Sequence, residues 1–450
     1  MLLKETPSIF ADVNIPRNKQ DRTMNKRTLT SILLLAAVLP TMAQIRGRAV
    51  EVNIVPDRMD WNYRTGETAE MTLTVQRNGV PLRGAKVELE AGKELFADTH
   101  KQMVLKDGST KWKAQLKEPG FYRLKATTRI DGREYSGICT VGFSPEQIKP
   151  FAQNPVDFDA FWKRALQEAR KNNLDPRMRL LPERSTELDD VFEVSFVNNT
   201  PESRIYGILT VPKQTGEYPA LLRVPGAGVR PYSGDTYTAP GRCIVLEIGI
   251  HGIPVTMEQK VYDLLRGGAL DNYWAVNLDE PERNYYKRVI TGAVRAVDFI
   301  AQLPKWNHRV LGVTGASQGG FLSLATAALD DRVPFLAAVH DAMCDYEAEL
   351  HGVAGGWPHY FIGQKDSPLV RARIEGARYY DGVNFARRCK QPAWFSFGYN
   401  DEAVPPTSSY GVYNIYPGTK TLSVYPTTGH FWLQEQWDEW QSWIKKHLGL

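Results

Sequence analysis

From about residue 160 onward, short apolar runs alternate with helical stretches, and this constrains the fold more than any other feature of the chain. The runs are Ala220–Val224, Cys243–Leu246, Val310–Val313 and Trp394–Phe397, and helical patterns lie over Tyr286–Leu303 and Gly319–Leu329. Strands alternating with helices point to a mostly parallel sheet with helices over both faces, which accounts for strands without polar alternation. The expected fold class is therefore α/β over residues 160–450.

The preceding residues follow another rule. Met71–Val75 and Val87–Leu89 alternate apolar with polar, and Arg77–Val80 and Ile130–Arg133 carry Asn-Gly and Asp-Gly turn signals. Roughly seven short strands in about 100 residues predict an all-β, immunoglobulin-like sandwich over 44–143. No catalytic cluster stands out there, so this domain is expected to pack or space, with sugar binding as the alternative. Prolines at 145, 150 and 155 mark a linker over 144–159. Beyond it Phe158–Asn172 reads as an amphipathic helix, with Phe158, Phe161, Trp162 and Leu166 on one side.

Basic residues at 26 and 27, an apolar run over Leu29–Leu39 and small residues around Ala43 form a secretory leader over 24–43, which makes 1–23 an upstream extension. The run is too short for a membrane anchor, so an exported, periplasmic or secreted protein without stable membrane insertion is expected. The 55 basic and 51 acidic residues are spread along the chain, which argues against a nucleic-acid partner. Cys139, Cys243, Cys344 and Cys389 are widely spaced and lack metal-site spacing, leaving one disulfide and four buried thiols as alternatives. No metal or cofactor is expected.

Chemistry enters at Gly315–Gly319, Gly-Ala-Ser-Gln-Gly, which falls between a strand and a helix. Such a turn lifts a serine hydroxyl into the open at a strand end, with helix N–H groups aimed where negative charge develops. Ser317 is the expected nucleophile. It needs an orienting acid and a base downstream, in the order Ser, Asp or Glu, His. Asp401 follows the run Trp394–Phe397, and His430 follows the run from Leu422 behind Gly429. Glu402 is the alternative acid; His447, in the last helix, and His308, before the strand that feeds the elbow, are weaker bases. The oxyanion donors are expected from the N–H of Gln318 and, in the loop Val224–Gly228, of Ala227. His251, His340 and Trp432 are candidate substrate contacts, each with a packing role as the alternative.

From Pro155 to the C-terminus the chain resembles the acetyl xylan esterase and cephalosporin C deacetylase family of α/β hydrolases. The resemblance rests on "PVDFDAFW" (155–162), "YYKRVITGAVRAVDFIAQLP" (285–304), "GVTGASQGGFLSLATAALDDRV" (312–333), "VNFARRCKQP" (383–392) and "DEAVPPTSSYGVYN" (401–414). It implies an α/β-hydrolase fold and a Ser317, Asp401, His430 triad. It also implies metal-free deacetylation of acetylated oligosaccharides or similar small esters, and ring-shaped oligomers, a homo-oligomer that the added N-terminal domain could block. Three positions depart from the family pattern: Pro225–Ala227 replaces His-Gly-Tyr, His251–Ile253 replaces Arg-Gly-Gln, and Phe431 replaces the Glu that commonly follows the histidine. Other readings are an esterase for another carboxylic ester such as a pectin methyl ester, a peptidase of the prolyl oligopeptidase kind, and a non-catalytic carbohydrate-binding protein on a hydrolase fold. The peptidase is disfavoured because no propeller-length repeat precedes residue 160.

Overall fold

The computed structural model describes residues 48–450, so the extension expected over 1–23 and the leader expected over 24–43 lie outside the described residues. Among the described residues no helix is long and apolar enough to cross a membrane.

The N-terminal strands are β1 (Val50–Pro56), β2 (Asn62–Tyr63), β3 (Ala69–Arg77), β4 (Val80–Pro81), β5 (Ala85–Lys93), β6 (Phe96–Leu105), β7 (Ser109–Ala114), β8 (Gly120–Ile130) and β9 (Arg133–Phe143). They form a four-stranded sheet in which β3 pairs with β1, β4 and β7, and a five-stranded sheet in the order β2-β9-β8-β5-β6. Alternation places Met71, Leu73 and Val75 of one sheet and Leu89, Leu124 and Val141 of the other in a single apolar core. The two turn signals behave as their residues require: Asn78 and Gly79 both have positive φ, as do Asp131 and Gly132.

A second core lies around a nine-stranded sheet. Its strands are β10 (Arg177–Leu180), β11 (Asp189–Val197), β12 (Arg204–Pro212), β13 (Tyr218–Arg223), β14 (Ile244–Gly249), β15 (Trp306–Ala316), β16 (Phe335–Val339), β17 (Ala393–Phe397) and β18 (Lys420–Val424). They run in the order β10-β11-β12-β14-β13-β15-β16-β17-β18. The pairings from β14 to β18 are parallel and those from β10 through β12 to β14 antiparallel.

The helices are α1 (Phe158–Arg170), α2 (Gln259–Arg266), α3 (Tyr285–Ile300), α4 (Gln318–Leu329), α5 (Pro368–Arg378), α6 (Gly382–Ala386), α7 (Pro406–Ile415) and α8 (Gln434–Leu448). The period of two splits the parallel strands between the two faces. Leu222, Leu246 and Ala338 pack with residues of α1, α3 and α4, whereas Leu221, Val245 and Val339 pack with Trp440 and Ile444 of α8.

Although the cores are distinct, Val50–Leu450 packs as one unit, without an independent body on either side of the linker. The linker is held by side chains of the second core. Asp345 Oδ1 accepts the N–H groups of Phe151 and Ala152, Glu347 accepts that of Gln153, and Arg387 donates to the Ala152 carbonyl. The four cysteines are free and buried, which decides between the alternatives left by their spacing.

Candidate active site

The glycines of the elbow face one atom. A methyl group at Gly315 would lie 2.5 Å from the Val224 carbonyl oxygen and 2.7 Å from the Gly319 backbone, and one at Gly319 would lie 2.5 Å from the same oxygen. Removing both side chains lets β15 turn straight into α4 beside the end of β13. The turn leaves Ser317 at φ 61°, ψ −125°, a conformation that costs an L-residue energy and persists only where the surroundings enforce it. Here the Ser317 N–H donates to the Val339 carbonyl at 2.8 Å, and the Ser317 carbonyl accepts from Gly320 and Ala342. The Gln318 side chain is fully buried; its Oε1 accepts the hydroxyls of Tyr273 and Tyr286, and its Nε2 donates to the Pro225 carbonyl.

Ser317, Asp401 and His430 all follow carboxyl ends of the parallel strands, after β15, β17 and β18. Asp401 is fully buried: Oδ1 accepts the N–H groups of Ala403 and Val404, and Oδ2 accepts Nδ1–H of His430 at 2.7 Å. A carboxylate can only accept, so this bond fixes the tautomer and leaves a lone pair on Nε2. Glu402, the alternative acid, is exposed and turned away to a salt bridge with Lys125 at 2.8 Å. His447 stacks on Trp443 with ring centroids 3.7 Å apart, and His308 packs beside Trp306 at the other end of β15. Ser317 and His430 line one cleft of about 760 Å³ with Ala227, Arg230, His340 and Trp432.

Of the oxyanion candidates, Gln318 begins α4 and Ala227 lies in the cleft wall. The Ala227 loop is tied down by Arg230, whose guanidinium donates to the carbonyls of Ala227 at 2.7 Å and Gly226 at 3.3 Å. Sequence reasoning missed this residue, because an arginine just outside a glycine-rich turn carries no pattern of its own.

The candidate substrate contacts separate. His251 is outside the cleft lining and both ring nitrogens are committed, Nε2–H to the Gly228 carbonyl at 3.1 Å and Nδ1 to the Tyr285 hydroxyl at 2.8 Å. This corrects the expectation of a substrate contact: His251 braces the loop from behind, and burial lowers its pKa to about 4, keeping it neutral. His340 does line the cleft, directly after β16, at φ 47°. Neither of its nitrogens has a hydrogen-bond partner, and Nδ1 lies 3.5 Å from Asp401 Oδ2. Burial lowers its pKa to about 4 against the pull of Asp401, so it stays neutral. Trp432 lines the cleft and also packs edge-on against Trp437 and Trp440.

Among the described residues, His340, Asp401 and His430 alone bring three potential metal-ligand atoms within 4.8 Å of one another. The Asp401–His430 hydrogen bond engages two of those atoms.

The arrangement suits acyl transfer: a strained hydroxyl at a helix N-terminus, an imidazole with a free lone pair in the same cleft, and a buried carboxylate behind it. Comparison with known proteins agrees. The profile of the family "Acetyl xylan esterase (AXE1)" matches residues 146–447. The chain is 34% identical over 439 residues to the acetyl esterase Axe7A of Xylanibacter ruminicola, covering 96% of this chain and 98% of that protein. Two solved structures share the fold. They are an acetyl xylan esterase from Paenibacillus sp. R4 (TM-score 0.59, 23% identity, 67% of this chain and 98% of that one) and acetyl xylan esterase 1 from Thermoanaerobacterium sp. JW/SL YS485 (TM-score 0.59, 24% identity, 67% and 97%). The chain therefore belongs to the acetyl xylan esterase family and is a carboxylic-ester hydrolase.

Proposed function

We propose that the protein is an exported serine esterase that removes acetyl groups from acetylated carbohydrates such as xylan oligosaccharides. The observation that carries the mechanism is the 2.7 Å bond from His430 Nδ1 to the buried Asp401 carboxylate, in the cleft that holds Ser317. Ser317 Oγ attacks the ester carbonyl while His430 Nε2 takes its proton. The N–H groups of Gln318 and Ala227 receive the oxyanion, and His430 returns the proton to the leaving sugar oxygen. Water, activated by the same imidazole, then releases acetate. Asp401 holds the tautomer and stabilises the imidazolium.

In this reading Trp432 offers its ring to a sugar, and His340, neutral and flanking Asp401, lines the acetyl side. The N-terminal lobe is an immunoglobulin-like domain, and export rests on the leader over 24–43. A methyl ester of a sugar acid would call for free cationic groups on the acyl side. Arg223 is paired with Asp235 and Arg230 is held by two carbonyls, which favours the acetyl ester.

The test is release of acetate and methanol from acetylated xylo-oligosaccharides and methylated pectin fragments by wild type and Ser317→Ala. Acetate release lost in the variant is expected. Methanol without acetate refutes the substrate class, and equal release by the variant refutes the nucleophile.

A further inference from the structure

The catalytic lobe does not hold its acid loop alone. The loop that follows β17 runs under the N-terminal lobe, and three strands of that lobe reach it. Arg123 of β8, 6% exposed, donates through Nη2 to the carbonyls of Asp401 at 2.7 Å and Tyr399 at 3.3 Å, while its Nε is fixed by Thr140 Oγ1 at 2.8 Å. The Thr140 N–H of β9 donates to Asn400 Oδ1 at 2.9 Å, and the Tyr399 hydroxyl donates to Asn62 of β2 at 2.9 Å. Asn400 also bonds through its own N–H to the Thr428 carbonyl at 3.0 Å, two residues before His430. The seam thus grips the acid loop and, through Asn400, the loop that carries the imidazole.

We propose that Arg123 is a positioning residue for the ester hydrolysis, so that the N-terminal lobe is part of the catalytic apparatus rather than a spacer. The inference rests on the reading of Asp401 as the acid. Residue 401 is anchored at two ends: its carboxylate by the N–H groups of Ala403 and Val404, its carbonyl by Arg123. Beyond the end of β17 no sheet partner satisfies that carbonyl. A buried carbonyl without its donor is costly, and the peptide would rotate to find another. Rotation of the 401 peptide swings Oδ2 away from His430 Nδ1, while the serine, the oxyanion donors and the cleft wall stay in place. Loss of Arg123 should therefore depress turnover and leave substrate binding unchanged. A charge at this place also interacts with the buried carboxyl of Glu94, which bonds to Thr407 across the same seam.

The experiment uses the full chain and p-nitrophenyl acetate, with Arg123→Ala, Arg123→Lys and Asp401→Asn, each checked for folding by circular dichroism. Arg123→Ala is expected to lower kcat about 10- to 100-fold with KM nearly unchanged, as for a catalytic group displaced by a fraction of an ångström to about 1 Å. Added guanidinium ion should restore part of the loss, and Arg123→Lys should retain more turnover than alanine. A folded Arg123→Ala protein with wild-type kcat overturns the proposal. So does a loss that neither lysine nor guanidinium relieves and that follows a fall in Tm. If the Arg123 variants do not fold, Asn400→Ala cuts the Thr140 link from the other side. A lower kcat at unchanged KM then supports the proposal, and wild-type kcat overturns it. Asp401→Asn reports on the underlying reading alone: retained activity there refutes the acid itself, whereas a dead Asp401→Asn beside a fully active Arg123→Ala refutes only the positioning role.

Discussion

Replacing Gly315 by alanine adds one methyl group in the elbow and leaves every polar group of the site untouched. Gly315 has no positive φ, so the substitution carries no conformational penalty of its own, and the whole effect is steric. The new carbon would sit 2.5 Å from the Val224 carbonyl oxygen and 2.7 Å from the Gly319 backbone, where ordinary contact begins near 3.4 Å. The surroundings are all backbone, so no side chain can swing aside, and the strand ends must separate by something under an ångström. Val224 opens the loop that carries Ala227, and Gly319 lies two residues past Ser317, so the separation falls between Ser317 Oγ and the proposed oxyanion donors. A displacement of that size costs roughly 10²-fold in turnover, about 2.7 kcal/mol of transition-state stabilisation. Overpacking costs a further 1 to 3 kcal/mol or so of stability. Stopped-flow hydrolysis of p-nitrophenyl acetate, with active-site titration to count competent serines, reads the first effect, and denaturant unfolding reads the second. A folded Gly315→Ala enzyme with wild-type turnover would show that the elbow does not set the distance between nucleophile and oxyanion donors.

Three further outcomes follow from the described groups. Glu94 is buried at the seam, and burial, opposed by Arg123 and Thr407, raises its pKa from 4.5 to about 7. The folded state holds this proton longer than the unfolded chain, so stability falls as pH rises from about 4.5 to 7, by up to about 3 kcal/mol. Glu94→Gln should flatten the decline of Tm across that window, and an unchanged slope contradicts the assignment. The four cysteines are free and buried, with burial pushing Cys139 up to about 12. Ellman's reagent should find no thiol in the native protein and four after denaturation; fewer than four would disprove the free state. Trp432→Ala should raise KM for acetylated oligosaccharides several-fold while leaving p-nitrophenyl acetate nearly unaffected, and equal changes for both substrates would argue for a packing role alone.

The parts of the site that are local in sequence were legible there. Gly315 and Gly319 are demanded by a steric problem within five residues, Asp401 follows a strand announced by the apolar run Trp394–Phe397, and His430 follows the alternating strand through Leu422 and Val424. Whatever depends on distant surfaces meeting was not. His251 has the same residue type and strand-end position as His430, and only the Tyr285 hydroxyl and Gly228 carbonyl around it show that it is a brace. Arg123 sits in an ordinary alternating strand, and its partners lie 276 and 278 residues away. Strand β10 was missed for a different reason: all four of its side chains are exposed, so no apolar periodicity marks it.

The tie between the linker and the second core bears on how such a chain can be shortened or recombined. Asp345 Oδ1 takes the N–H groups of Phe151 and Ala152, and Glu347, which is also paired with Arg378, takes that of Gln153. A break placed after residue 153 would take the Phe151 and Ala152 N–H groups from the buried Asp345 carboxyl, whereas one between the end of β9 and Pro150 would keep them in place. A joint that exchanges the N-terminal half therefore preserves this tie only when Phe151–Gln153 travel with the hydrolase, and the incoming half must still supply the seam contacts that Arg123, Thr140 and Asn62 make.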